Sequence, residues 1–140
     1  LTALRTSLKI PLATHRYSSF QLETPPEILL EDKDTILLGT LKIKVLFTPG
    51  HTPGGLCFKT GNYLFAGDTL FPGGPGHTET TDDFKVIIKS ITEKIYGLPD
   101  EITILPGHGE GTTIGKSKKE YAVFASKQHD ELYGDVTWLS

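Results

Sequence analysis

Three short stretches decide the fold of this chain: Thr48-Pro49-Gly50-His51-Thr52-Pro53-Gly54-Gly55, Leu64-Phe65-Ala66-Gly67-Asp68-Thr69-Leu70-Phe71 and Ile104-Leu105-Pro106-Gly107-His108-Gly109. In each case an apolar run with the composition of a strand ends at a turn that contains glycine. Each turn carries one side chain that can bind a metal ion, namely His51, Asp68 and His108. Two imidazoles and a carboxylate suit zinc, iron or manganese. We therefore expect three strand ends to meet at one metal site.

Each of these side chains also has a purely structural alternative. A histidine in a turn can hydrogen-bond a neighbouring carbonyl, and an aspartate can cap a turn or a helix. For Asp68 the metal is favoured, because a carboxylate at the end of a buried apolar strand is costly without a cation. The three residues together favour a metal site more strongly than any one of them alone.

Hydrophobic spacing predicts strands and helices on either side of these turns. Strands are expected at residues 10–13, 40–47, 56–59, 63–66 and 102–105. Helices are expected at residues 1–8, 82–96 and 116–133, with Thr81 or Asp82 as the N-cap of the second. Residues 16–35 and the proline- and glycine-rich residues 72–76 are predicted to be irregular, and the latter to form a wall of the site.

Composition limits the classes of protein to consider. With 140 residues, 37% hydrophobic and 22% charged, the chain can form one domain with a real core. A formal net charge of −3 offers no basic surface for nucleic acid, and no apolar run reaches the roughly 20 residues that span a bilayer. The single cysteine, Cys57, lies in an apolar run, which predicts a buried, unreactive thiol. We expect a cytoplasmic protein without a nucleic-acid or membrane partner.

The three stretches resemble the metallo-β-lactamase superfamily, and within it the small glyoxalase II-like metallohydrolases. The resemblance implies an α/β fold, the αβ/βα sandwich, with metals bound along one edge of its sheets. It implies that His51 binds a first metal, that His108 binds a second, and that Asp68 bridges them as the catalytic carboxylate. The implied cofactor is zinc, two ions in the complete domain, with iron or manganese as alternatives.

Family members also carry a His-x-His-x-Asp-His stretch upstream, which supplies most of the remaining ligands. No such stretch occurs in this sequence, and residues 1–5 resemble the start of the helix that follows it. We therefore expect residues 1–140 to be the C-terminal part of a single, N-terminally truncated domain. An exposed sheet would then favour a homo-oligomer or pairing with a missing N-terminal segment.

Three histidines lie outside the implied ligand set. His77 follows the proline- and glycine-rich loop, where relatives often carry an arginine or lysine near the substrate, so the resemblance implies a substrate-binding role. A solvated loop histidine is the alternative. His15 is expected at the rim of the site, not as a ligand, and His129 on the surface of the terminal helix.

The resemblance implies a metal-dependent hydrolase that attacks a small-molecule thioester with a hydroxide held by the metals. A thiolate leaves readily, so little acid assistance is needed. Two alternatives stay open. One is an iron-dependent persulfide dioxygenase on the same scaffold, with a single metal. The other is an inactive truncated fragment that folds only by pairing with another chain.

Overall fold

The computed structural model describes residues 1–139. Its helices are α1 (Thr2–Leu8), α2 (Thr81–Ser90) and α3 (Ile114–Ala125), with a 3₁₀ helix at Arg16–Gln21 and a π-helical continuation of α2 at Ile91–Ile95. Its strands are β1 (Ala13–Thr14), β2 (Ile28–Leu29), β3 (Thr35–Leu38), β4 (Leu41–Phe47), β5 (Leu56–Thr60), β6 (Tyr63–Gly67), β7 (Leu70–Phe71), β8 (Gly74–Pro75), β9 (Thr103–Pro106) and β10 (Thr112–Thr113). No helix within residues 1–139 is long and apolar enough to cross a membrane.

A six-stranded sheet in the order β10-β9-β6-β5-β4-β3 forms the centre of the structure. Strands β3 to β6 pair antiparallel with their neighbours in sequence, whereas β6 and β9 pair in parallel. The connection between the two parallel strands contains α2, as parallel pairing requires a crossover. This topology brings the ends of β6 and β9, and the residues that follow them, to the same edge of the sheet.

One face of the sheet packs against the helices. Side chains from β4, β5, β6 and β9 share a buried cluster with residues of α2, its π-helical continuation, α3 and the C-terminal segment. The members without any solvent exposure include Cys57, Leu64, Ala66, Ile87, Ile91, Ile95, Ile104, Ile114 and Trp138. Burial of apolar surface, worth roughly 25 cal/mol per Å², is the main force that holds α2 and α3 on this face.

The opposite face of the sheet is also apolar but partly open. The register places Val45, Phe58, Phe65 and Leu105 side by side across β4, β5, β6 and β9. Phe65 remains 47% exposed, and farther along the sheet Leu41 is 53% exposed. The sheet therefore has two apolar faces, of which the helices of this chain cover one.

The structure corrects several predicted elements. Of residues 10–13, only Ala13 is in a strand, and that strand continues to Thr14. Residues 16–35 contain a 3₁₀ helix, β2 and the start of β3, and residues 72–76 contain β8, which pairs with β7. The predicted strands at 40–47, 56–59, 63–66 and 102–105 correspond to β4, β5, β6 and β9 within one residue at each end.

The helix ends also differ from the predicted ones. The N-cap of α2 is Thr80, whose Oγ1 accepts a hydrogen bond from the Asp83 amide at 3.1 Å, and not Thr81 or Asp82. Helix α3 begins at Ile114 and ends at Ala125, eight residues before the predicted end. The chain beyond it instead folds back, so that Val136 and Trp138 enter the core.

The buried thiol predicted for Cys57 is present, and its Sγ lies 3.2 Å from the Thr48 hydroxyl. Burial raises the pKa of the Cys57 thiol, because desolvation disfavours the thiolate. We expect Ellman's reagent to label the native protein no faster than the protein unfolds, and to label it at once in denaturant. Labelling of the native protein within seconds would show that this part of the core opens readily.

Candidate metal centre

His51 lies in a tight loop between β4 and β5 that is fixed against α2. The Thr48 amide donates to the Gly55 carbonyl at 2.8 Å, and the Ser90 hydroxyl of α2 donates to the Pro49 carbonyl at 2.7 Å. Gly50 has a positive φ of 136°, and a Cβ there would lie 2.4 Å from the Cβ of Ile87. Only glycine therefore allows this loop to touch α2, and the contact sets the position of His51.

Asp68 follows β6 directly, after a turn at Gly67 with φ of +49°. Two glycines from other loops make room for it. A Cβ on Gly76 would lie 1.8 Å from the Asp68 carbonyl oxygen, and a Cβ on Gly107 would lie 2.5 Å from Asp68 Oδ1. The Asp68 side chain is 37% exposed and lies between these two loops.

His108 follows β9, the strand that runs parallel to β6. The Gly107 amide donates to the Gly67 carbonyl at 2.8 Å, which ties the two loops together immediately before Asp68 and His108. The His108 ring lies 4.8 Å from the ring of Phe71 and is 75% exposed. It is the most exposed of the three predicted ligands.

The structure brings the three predicted ligands together around the Asp68 carboxylate. His51 Nε2 lies 3.6 Å from Asp68 Oδ2, and His108 Nε2 lies 3.7 Å from Asp68 Oδ1. Each imidazole thus faces a different oxygen of one carboxylate. Within residues 1–139, no three His, Cys, Asp or Glu side chains form a shell around a single metal ion. The three side chains instead form two donor pairs, His51 with Asp68 and His108 with Asp68, and neither pair is a complete metal shell.

The hydrogen bond on the far side of the His51 ring defines its tautomer. His51 Nδ1 lies 2.8 Å from the carbonyl oxygen of His77, and a carbonyl can only accept. Nδ1 therefore carries a proton, and in the neutral imidazole Nε2 presents its lone pair to Asp68. In this neutral form two acceptors face each other at 3.6 Å, an arrangement that either a proton on Nε2 or a metal ion between the two groups stabilises. The donor set therefore fits a metal ion, and the carbonyl is the kind of outer partner that orients metal-binding histidines.

His77 lies in the same cavity but is held by acidic residues. Its Nδ1 lies 3.0 Å from Asp135 Oδ1, and its Nε2 lies 3.6 Å from Glu79 Oε1. The cavity has a volume of about 310 Å³, and its wall includes Phe71, Pro72 and Pro75. A substrate-binding role for the His77 side chain stays a prediction. The backbone of His77 has a second role that the sequence did not indicate, because its carbonyl orients His51.

The C-terminal segment also lines this cavity, through Asp135, Val136 and Thr137. Sequence reasoning missed these residues, since it placed the terminal helix as far as residue 133. A signal was available: Gly134 is followed by an alternation of polar Asp135 and Thr137 with apolar Val136 and Trp138. Such alternation is typical of an extended segment with one buried face.

The two remaining histidines are structural. His15 is buried and stacks on Phe47 with ring centroids 4.1 Å apart, and burial lowers the pKa of its imidazole. Its Nδ1 accepts a hydrogen bond from the Tyr17 amide at 3.3 Å. His129 does not lie on a helix surface, because α3 ends before it. It is half-buried, stacked on Phe124 with ring centroids 3.9 Å apart.

Comparison with known proteins agrees with this geometry. Residues 3–108 match the family model of the metallo-beta-lactamase superfamily. The chain is 37% identical over 100 residues to the hydroxyacylglutathione hydrolase GloC of Haemophilus influenzae, a match that covers 69% of this chain and 47% of GloC. It is 36% identical over 90 residues to the probable polyketide biosynthesis zinc-dependent hydrolase BaeB of Bacillus velezensis, with 64% and 40% covered.

Among solved structures, ETHE1 from Myxococcus xanthus superposes with a TM-score of 0.78 at 26% sequence identity, covering 91% of this chain and 57% of ETHE1. The chain spans about half the length of the curated relatives it matches. The α/β metallo-β-lactamase fold and the glyoxalase II-like resemblance predicted from the sequence are confirmed. The sequence match, the fold and the two histidines around Asp68 agree: the chain belongs to the metallo-β-lactamase superfamily.

Proposed function

We propose that the whole protein is a glyoxalase II-like hydrolase of small-molecule thioesters that uses two zinc ions. One observation carries the proposal: His51 and His108 face different oxygens of the same carboxylate, and the His77 carbonyl accepts a hydrogen bond from His51 Nδ1. The name of GloC supports a thioester substrate, and that of BaeB supports zinc. Because the chain spans about half of these relatives, the proposal concerns the protein that contains this chain.

Metal ions at this site would supply a nucleophile at neutral pH and polarise the substrate carbonyl. The residues of this chain would bind and orient the ions and provide a wall for the substrate. His51 and His108 would each hold one ion, and Asp68 would hold both while its charge offsets part of theirs. The His77 carbonyl keeps His51 Nδ1 protonated, so that Nε2 is available as a ligand. Phe71, Pro72 and Pro75 provide an apolar wall against which the substrate would pack.

Covalent catalysis by the cysteine does not compete with this mechanism. Cys57 is the single cysteine of the chain, it is fully buried, and burial raises the pKa of its thiol. A buried neutral thiol cannot attack a substrate in the cavity. The buried, free thiol also agrees with a reducing compartment, and we propose a cytoplasmic location.

The likeness to ETHE1 supports a second candidate, an iron-dependent persulfide dioxygenase. The two candidates differ in metal and in oxygen use. We expect the zinc-loaded full-length protein to hydrolyse acyl-thioesters of glutathione or pantetheine without consuming oxygen. Oxygen uptake with glutathione persulfide by the iron-loaded protein, without thioester hydrolysis by the zinc form, would replace the hydrolase with the dioxygenase. Absence of both activities in metal-loaded protein would contradict both.

The loss of activity that follows removal of the metal should be reversible. Dialysis against a chelator is expected to abolish thioester hydrolysis, and added zinc should restore it, because the metal ions supply the nucleophile in the proposed mechanism. The measurement is the rate of thiol release before chelation, after chelation and after zinc addition. Hydrolysis that persists in protein shown to be metal-free by elemental analysis would rule out the proposed mechanism.

A further inference from the structure

The C-terminal residues Gly134–Trp138 form a strap across the loop that precedes α2. Thr78 and Gly134 exchange two backbone hydrogen bonds of 3.3 and 2.8 Å, and the Trp138 amide donates to the Gly73 carbonyl at 2.7 Å. The side chains of Val136 and Trp138 are 7% and 0% exposed. The strap is therefore fixed at both ends by the backbone and along its length by the core.

The loop beneath is shaped to receive the strap. A Cβ on Gly74 would lie 2.6 Å from the carbonyl oxygen of Val136 and 3.2 Å from the Cα of Thr137. Both neighbours belong to the strap backbone, which cannot yield as a flexible side chain can. Glycine at this position thus allows the strap to lie directly on the loop, and makes it part of the cavity wall.

Buried and exposed side chains alternate along the strap, and this alternation determines which of them face the cavity of the candidate site. The side chains of Val136 and Trp138 are buried, whereas Asp135 and Thr137 are exposed on the other side, and Asp135 and Thr137 line the cavity together with part of Val136. The Asp135 side chain is 89% exposed, and its Oδ1 lies 3.0 Å from His77 Nδ1. It is thus a solvated carboxylate held at the mouth of the candidate site.

The charge of this wall does not depend on the protonation of His77. Two carboxylates, Asp135 and Glu79, face the two nitrogens of one imidazole, so the group is net negative whether His77 is neutral or protonated. None of the described residues that line the cavity is a lysine or an arginine. Away from the proposed metal ligands, the described wall of this cavity therefore has no lysine or arginine with which to bind an anionic substrate group.

We propose that Asp135 is a specificity-determining residue, which disfavours thioesters with an anionic group at this wall and favours those that are uncharged there. This proposal rests on the proposed function. Like charges a few ångströms apart repel by about 1 kcal/mol in water, which corresponds to roughly a fivefold effect. Reversal of the charge should have about twice that effect in free energy, and salt should weaken it.

The test compares two acetyl thioesters with the full-length, zinc-loaded protein: acetylglutathione, which is anionic, and acetyl-N-acetylcysteamine, which is neutral. The readout is the ratio of kcat/KM for the two substrates, since an effect on metal loading or folding changes both values alike. We expect Asp135→Asn to raise the ratio of anionic to neutral substrate about fivefold, and Asp135→Lys about 25-fold. Asp82→Lys, at an exposed position of α2, is the control with the same change of charge.

An unchanged ratio in both Asp135 variants, or an equal rise in Asp82→Lys, would overturn the proposal while leaving the hydrolase intact. If the wild-type protein hydrolyses neither thioester, the proposed function fails. The effect of Asp135 on anion binding can then still be tested by measuring the affinity for glutathione by calorimetry. Asp135→Lys should then bind glutathione about 25-fold more tightly than wild type. Equal affinities in that measurement would also overturn the role of Asp135.

Discussion

Replacement of Asp68 by asparagine is expected to abolish thioester hydrolysis and most metal binding while the fold survives. The side chain is the one group that both imidazoles face, at 3.6 and 3.7 Å. Asparagine keeps the size but removes the charge that would hold two cations close to each other. Because even an outer partner of a metal ligand is worth roughly 10–100-fold, loss of the shared ligand should cost more than about 100-fold in zinc affinity. Activity should fall at least as far.

Asp82→Asn provides the matched control, since Asp82 is an exposed residue of α2 whose carboxylate lies 3.4 Å from Lys85 Nζ, far from the three predicted ligands in sequence. Zinc titration, thioester kinetics and circular dichroism should be measured on both variants. Normal zinc affinity and activity in Asp68→Asn would remove the basis for the proposed mechanism. A loss of fold in this variant would instead show that Asp68 is primarily structural.

The second large effect is expected from Gly76→Ala. The added Cβ would lie 1.8 Å from the Asp68 carbonyl oxygen, which belongs to the backbone and cannot move alone. Overpacking typically costs about 1–3 kcal/mol, and a contact this short with backbone should reach or exceed the upper value. The loop would also shift the adjacent His77 carbonyl, which orients His51. We therefore expect both a lower Tm and weaker zinc binding.

Gly97→Ala is the comparison for this variant, because the nearest atom to its added Cβ would be 4.0 Å away. It should change stability by less than about 1 kcal/mol and leave zinc affinity unchanged. Thermal unfolding with and without zinc separates the two effects. If Gly76→Ala were as stable as Gly97→Ala and bound zinc normally, the tight approach of the loop to Asp68 would not matter for the site.

Local sequence signals predicted the elements that carry the site. Alternating apolar residues mark β4, and the helical spacing of Phe84, Ile87 and Ile91 marks α2, so these patterns gave their positions closely. The strand-end positions of Asp68 and His108 implied that they would meet, and the parallel pairing of β6 with β9 brings them together. The positions of β4 and α2 could be predicted because each pattern lies within one short segment. The meeting of Asp68 and His108 depends on a single crossover between β6 and β9.

The parts that could not be predicted depend on contacts between distant segments. The strap across residues 73–78 forms only because Trp138 enters a core built by residues far earlier in the chain. Helix α3 ends at Ala125, although the polar residues that follow do not forbid a longer helix. Strand β3 was missed because its partner β4 stabilises it across a turn at Gly39, whose φ is +59°. That glycine was the available signal for a hairpin.

The most direct test of the metal centre is anomalous diffraction at the zinc edge from crystals of the full-length protein grown with zinc. We predict two anomalous peaks that share Asp68, one within about 2.0–2.2 Å of His51 Nε2 and the other at the same distance from His108 Nε2. Asp68→Asn crystals prepared in the same way should lose at least one peak. Zinc bound without contact to Asp68, or an empty site at saturating zinc, would contradict the assignment of His51, Asp68 and His108 as the metal ligands.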